Sequence, residues 1–166
     1  MSLKEKIKQD LNSALKEGRA TEVSVLRLVN AAVLNKEKEK RYKVSKEKPE
    51  AAEAELQEES QLGEEELLEV ISSEAKKRKE SIVEFEKGGR NELALKEKSE
   101  LEVLQKYLPE QMSEEELRKI IAEAVEKVGA KSPQDMGKVM QELMPQVKGK
   151  ADGSLVSKIV KESLAQ

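Results

Sequence analysis

The residues able to do chemistry in this chain are few in kind. It contains no cysteine and no histidine. That removes disulfides, thiolate nucleophiles, zinc sites built on either residue and a histidine general base. Carboxylates, amines, guanidinium groups and hydroxyls remain. Carboxylate pairs at helical spacing, such as Glu80 with Glu84, recur, but 34 acidic residues in a chain of 166 produce such pairs by chance. Acid–base catalysis needs two carboxylates in different environments, so these pairs read as solvated helix faces, and neither a metal nor a cofactor is expected. Ser154 and Lys158 have the spacing of a Ser–Lys pair but no supporting motif, and read as a helix first turn with a solvent-facing lysine. Gly149-Lys150 lacks the glycine and the Ser/Thr that would complete a Walker loop. No catalytic constellation emerges.

Two basic features stand above this background. The first is Glu74-Ala-Lys-Lys-Arg78-Lys79. Glu74 lies three and four residues before Lys77 and Arg78, so internal salt bridging is the favoured reading over an anion site. The second is the segment Val147-Lys148-Gly149-Lys150-Ala151-Asp152-Gly153. Two lysines flank a glycine just ahead of a helix start, where backbone N–H groups and the helix dipole suit phosphate. Asp152, as the N-cap, would occupy some of those donors. The segment therefore reads equally well as turn chemistry or as a site for a nucleic-acid backbone.

Charge supports the second feature weakly. From residue 129 to 166 there are six lysines against four acids, a balance of +2, whereas the remainder holds 25 basic against 30 acidic residues, −5. The C-terminal part is thus the better face for an anionic partner. Aromatics make up 2%, so nothing offers a stacking platform for bases, and any RNA contact should run through shape and phosphate.

The elements that must position these residues are helices. The composition, 39% charged and rich in Glu, Lys, Leu and Ala, favours helix over strand. Leu3, Ile7, Leu11, Ala14 and Leu15 form one stripe, capped by Gly18. A second helix is expected from Thr21 as N-cap, with Val25, Leu26, Val29, Ala32 and Val33 on its apolar face. Between residues 36 and 61 the stripe fades into charge, leaving either a solvated helical extension broken just before Pro49 or a mobile linker. A third helix spans about 64 to 87, and Asn91 caps a fourth that Pro109 stops. Ser113 and Glu116 make a capping box for the fifth, with Met112 stapled on Leu117 and Gly129 at the end. The sixth starts at Ser132-Pro133 and ends at Met144-Pro145; the seventh starts at Asp152. The fold class is all-α: a multihelical N-terminal domain, 1–108, then a small three-helix orthogonal bundle, 109–166. No segment has the ~20 apolar residues of a membrane span, and a cytoplasmic location is expected.

Asp135-Met-Gly-Lys-Val-Met140 followed by Met144-Pro-Gln-Val-Lys-Gly-Lys-Ala-Asp-Gly-Ser-Leu-Val156 resembles the YqeY family. So do Tyr107-Leu-Pro-Glu-Gln-Met112, Lys77-Arg-Lys-Glu-Ser81 through Phe85, and Gly89-Arg90. The C-terminal pattern is also similar to the tail of the B subunit of glutamine-dependent tRNA amidotransferases, which are carbon–nitrogen ligases with glutamine as amido-N-donor. The resemblance implies a tail that holds tRNA while catalysis happens elsewhere. Carried over, Lys138, Lys148, Gly149, Lys150, Asp152 and Lys158 are the tRNA-facing candidates, and Gly137 would allow a close helix approach. Met136, Val139, Met140, Leu155 and Val156 read as core. The implied partners are tRNA and an amidotransferase or aminoacyl-tRNA synthetase complex, with no DNA. The competing reading is a helical protein–protein adaptor without an RNA role.

Overall fold

The aliphatic stripes become helices. The computed structural model describes residues 1–165, and over them it contains eight α-helices, one 3₁₀ turn and no strand. They are α1 (Leu3–Glu17), α2 (Ala20–Glu47), α3 (Glu53–Glu59), α4 (Glu64–Lys87), α5 (Asn91–Gln105), α6 (Glu114–Val128), α7 (Met136–Val147) and α8 (Gly153–Leu164). The chain divides into two compact units, Met1–Tyr107 and Leu108 onward.

In the first unit α4 and α5 form an antiparallel hairpin against which α1 and α2 pack. Its core is aliphatic: Ile7 of α1, Leu26 and Val29 of α2, Ile71 of α4 and Leu104 of α5 are at most 2% exposed. Among these side chains lies a charge. Arg78 is 8% exposed; its guanidinium reaches the Glu74 carboxylate at 2.8 Å and that of Glu100, also buried, at 3.4 Å. Lys77 adds a 2.6 Å pair to Glu74. The basic cluster on α4 is therefore internally paired, as its spacing suggests. Glu100, the partner from α5, has no such signature. Burial pushes the Glu74 carboxyl upward, but hydrogen bonds from Lys77 and Arg78 outweigh it and hold its pKa below the ordinary value. Near the C-terminal end of α5, Tyr107 is buried with its hydroxyl 2.7 Å from Asp10, and burial and that hydrogen bond push its pKa up.

The charged stretch 36–61 is structured. α2 runs on to Glu47, and Lys48 ends it one residue before Pro49. Beyond Val33 its inward face becomes polar, and ion pairs replace apolar contacts. Lys40 binds Glu66 at 2.7 Å and the Gln61 carbonyl at 3.0 Å; Arg41 binds Gln57 at 2.8 Å and also Glu53; Glu37 accepts from Lys4 at 2.7 Å. The pairs run between helices, a geometry that reading charge at i,i+4 within one helix does not reveal.

Two expected starts move. α2 begins at Ala20 with Arg19 as N-cap, and α5 begins at Asn91 with Arg90 as N-cap, so neither Thr21 nor Asn91 caps its helix. The reason is shared. The N–H of Arg19 closes the end of α1 on the Ala14 carbonyl (2.9 Å), and its own carbonyl accepts from Val23 (3.0 Å). Arg90 does the same between Phe85 (2.8 Å) and Ala94 (3.1 Å). A single residue serves both helices, leaving no room for a separate capping side chain. α5 also stops at Gln105, four residues before Pro109.

The second unit packs α6, α7 and α8 around Leu117, Ile121, Val139, Leu143, Val156 and Val160, all at most 1% exposed. The Ser113–Glu116 capping box is formed in both directions, and Met112 packs on the cluster that holds Leu117. Met136, Met140 and Leu155 sit half-buried at its rim. Ser132-Pro133 opens a 3₁₀ turn, Pro133–Asp135, that precedes α7. Asp135 holds this turn by accepting the Lys131 N–H at 3.1 Å and the Ser132 hydroxyl at 3.3 Å. Pro145 does not end α7, which continues to Val147. Proline removes only the bond to the Gln141 carbonyl, on an exposed residue that water can reach, while the extra turn buries Val147.

Two outcomes follow from these contacts. A carboxyl with a lowered folded pKa contributes stability above its unfolded pKa and loses it as pH falls through the folded value. The urea midpoint should therefore drop as pH falls below about 4.3, the ordinary Glu value, and Glu74→Gln should flatten that drop. Exposed ion pairs are worth about 0–1 kcal/mol each and are screened by salt. Raising NaCl to about 0.5 M, where the screening length is a few ångströms, should speed amide hydrogen exchange across residues 37–60 and leave the α4 and α5 amides unchanged.

Candidate nucleic-acid interface

The segment from Lys148 to Asp152 connects α7 to α8, and both of its ends are tied. Lys148 caps α7 by donating its N–H to the Met144 carbonyl at 3.0 Å. Gly149 then takes a φ of +75°, and the N–H groups of Lys150 and Ala151 turn back to the Val147 carbonyl at 2.9 and 3.1 Å. A side chain at that φ costs about 1 kcal/mol, so glycine is required by the reversal itself. At the far end the Asp152 carboxylate accepts the Ser154 N–H at 2.7 Å, and its carbonyl accepts from Val156 at 2.9 Å. Asp152 is thus a positioning residue for the α8 N-terminus, where its own charge meets the helix donors.

A third support comes from the strand of chain that leads into α6. The Gln111 amide donates to the carbonyls of Pro109 and Gly149, each at 2.8 Å. The Met112 N–H donates to the Lys150 carbonyl at 2.8 Å. Pro109 packs beside Gly149, where a Cβ would lie 3.6 Å from its Cγ. The carbonyls of Gly149 and Lys150 are drawn inward while the Lys148 and Lys150 side chains remain exposed. Gln111 was not among the candidate residues. The one signal for it was its place in the Leu-Pro-Glu-Gln-Met motif, since nothing in its local spacing points to a loop nearly forty residues away (|i−j| of 38).

Lys138 and Lys148 lie on one face of α7. Lys138, Gln141, Pro145 and Lys148 follow at steps of three and four, and all are exposed. At 1.5 Å per residue the two lysines are about 15 Å apart along the axis. Met144, 43% exposed, stands between them. Lys138 is 3.4 Å from Asp135, whose carboxyl is held below its ordinary pKa first by the Lys131 N–H and further by Lys138. A phosphate at Lys138 must compete with that pair. Gly137 is also on the exposed side, and a Cβ there would meet nothing within 4 Å. No helix of this unit approaches it, so the expected reason for that glycine fails within the unit.

Lys158 stands apart from this face. It sits in the second turn of α8, 72% exposed, at 4.0 Å from Glu162. Glu162 is bound by Arg118 of α6 at 3.2 Å, and Arg118 by Glu114 at 2.7 Å. The surroundings of Lys158 are a strip of alternating charge. The structure therefore gathers Lys148, Gly149, Lys150 and Asp152 into one braced loop, aligns Lys138 with it along α7, and sets Lys158 beside Glu162 in a strip of mixed charge. Elsewhere, Glu80 and Glu84 are both exposed, with Glu84 paired to Lys87 at 3.0 Å. Among the described residues no group of three or more acidic side chains is placed to hold a metal ion, and no helix is long and apolar enough to cross a membrane.

No curated protein matches the chain. The family model described as Yqey-like protein matches residues 48–164. The match begins where α2 ends and takes in α3 to α8, including the Pro109–Met112 brace, the exposed α7 face and the glycine loop. Covering more than two thirds of the chain, it establishes that the protein belongs to the YqeY family.

Proposed function

We propose that this protein is a non-catalytic tRNA-binding accessory module, and that its second unit meets the RNA through the exposed face of α7 and the loop after it. The observation that carries the reading is the pair Lys148 and Lys150 on either side of Gly149, in a loop braced by Gln111 and Met112. A loop fixed before binding loses little conformational freedom on contact. Lys138, about 15 Å along the same face, extends it. The spacing suits contact with successive phosphates of a folded RNA rather than with bases, for which there is no aromatic partner on this face. Asp152 sets the start of α8, and Lys158 contributes less, because it stands apart from this face and already faces Glu162.

The similarity of the C-terminal pattern to the amidotransferase B-subunit tail suggests the setting. The chain would hold tRNA for chemistry done by a larger amidotransferase or aminoacyl-tRNA synthetase complex. Its own side chains offer no nucleophile–base pair and no metal cluster among the described residues. A role as a protein–protein adaptor without RNA is the competing reading, favoured by the overall charge of −3.

Binding of total tRNA, followed by fluorescence anisotropy across a salt series, tests the proposal. Each phosphate contact contributes roughly 0.7–0.9 to the slope of log K against log salt. Lys148→Glu/Lys150→Glu should shrink that slope by about 2 and weaken binding about ten-fold or more at low salt. A flat slope, or no binding by the unaltered chain at low salt, would leave the adaptor reading. Gln111→Ala removes two hydrogen bonds, each worth about 1 kcal/mol. It should weaken tRNA binding several-fold with the salt slope unchanged, because it loosens the loop without removing a charge.

A further inference from the structure

α7 carries two residues that weaken it as a helix, and both lie on the face proposed for RNA. Gly137 sits in its first turn, and its φ is not positive, so the backbone there does not call for glycine. Glycine costs a helix stability relative to alanine. A Cβ at this position would meet nothing within 4 Å, so crowding does not call for glycine either. Pro145 lies inside the same helix. It has no N–H to give the Gln141 carbonyl, and its ring crowds that carbonyl. Burial of Val147 explains why the helix continues past the proline, not why a proline stands there. Gly137, Gln141 and Pro145 follow at steps of four, and all three are exposed. They form one line along α7. At 1.5 Å per residue it is about 12 Å long, with Lys138 beside one end and Lys148 beyond the other.

This line supplies what the lysines cannot. A lysine meets the phosphates of RNA and of DNA alike. The Gln141 carbonyl, without its helical donor, is a free acceptor on the surface. A phosphodiester has no proton to give it at neutral pH. A ribose 2′-hydroxyl has one, and DNA lacks that group. The Gln141 side-chain amide, on the same residue, adds donors and a further acceptor for the same hydroxyl. At Gly137 the missing side chain leaves the helix backbone bare, with room for a sugar to lie against it. We propose, resting on the RNA reading of this face, that the line is a ribose-reading track: Gln141 takes a 2′-hydroxyl, Pro145 keeps its carbonyl free, and Gly137 admits the sugar. These residues then decide that the nucleic acid is RNA, while the lysines supply affinity for its phosphates. A helix less stable than it could be is the usual accompaniment of such a site.

The test compares three stem-loops of one sequence, made of RNA, of 2′-O-methyl RNA and of DNA, by fluorescence anisotropy against the full-length chain. The 2′-O-methyl strand keeps the ribose and the charge but has no hydroxyl proton. The unaltered chain should bind RNA about five-fold more tightly than either of the others. Pro145→Ala restores an N–H to the Gln141 carbonyl, and Gly137→Ala adds a Cβ in open space, so both should raise Tm by a few degrees. Both should nonetheless weaken RNA binding about five-fold, to the level of the other two strands, with the salt slope unchanged because no charge is lost. Unchanged RNA affinity in either variant, or an equal loss for RNA and DNA, overturns the proposal. So does a lower Tm in either variant, which gives that residue a structural role, or equal binding of the three strands by the unaltered chain. Each of these results leaves the RNA reading standing if binding is salt-dependent and lost in Lys148→Glu/Lys150→Glu. A chain that binds none of the strands at low salt sinks both.

Discussion

The Arg78 guanidinium, 8% exposed between α4 and α5, is met inside an aliphatic core by the carboxylates of Glu74 and Glu100. A buried charge without a partner is among the most costly arrangements a protein can hold, and removing one partner costs about 3–5 kcal/mol. The geometry is thereby constrained. Glu74 is one turn away on the same helix, but Glu100 comes from α5, so the pairing holds only in one register of the hairpin. α1 and α2 pack on that hairpin, and their placement depends on the register. The Nε of Arg78 stays buried without a hydrogen bond, which sets a cost against the pairing. Apolar side chains of similar volume could fill the same space with comparable stability; they would not specify which residues face each other as narrowly.

With three aromatic residues in the whole chain, Tyr42, Phe85 and Tyr107, both units must be built on aliphatic volume. The second does it with ten buried residues on three helices of 12 to 15 residues. The first runs short of apolar residues beyond Val33 of α2 and continues on cross-helix ion pairs to α3 and α4. Such pairs contribute little each, so the far end of α2 is tied by a weaker and salt-sensitive interaction than the rest. Stability is thus distributed unevenly along one continuous helix.

The same economy shapes the candidate interface. A five-residue loop with two lysines would ordinarily be mobile. Here α7 closes it at one end, Asp152 at the other, and Gln111 from the side. The exposed lysines therefore project from a fixed backbone.

Fold class and most helix bounds are local properties, and the sequence determined them. α4 runs from 64 to 87 as its stripe, its three first-turn glutamates and the Gly88-Gly89 pair after it predict, and the Ser113 box and the Asp152 cap form at the residues that name them. The i,i+4 pairing of Glu74 with Arg78 was equally local. Tertiary structure decided what depends on partners distant in sequence. α2 continues to Glu47 with Lys40 tied to Glu66 of α4 and Arg41 and Lys48 tied to Glu53 and Glu59 of α3, pairings across turns that spacing within one helix cannot announce. Pro145 stays inside α7 because burying Val147 outweighs one lost bond to solvent. Glu100 and Gln111, the two residues that fix a helix register and a loop, act across 22 and 38 positions and carry no periodic signal. Periodicity reports which side of a helix meets a core. It does not report which polar group across that core is waiting, because that is set by three-dimensional packing alone.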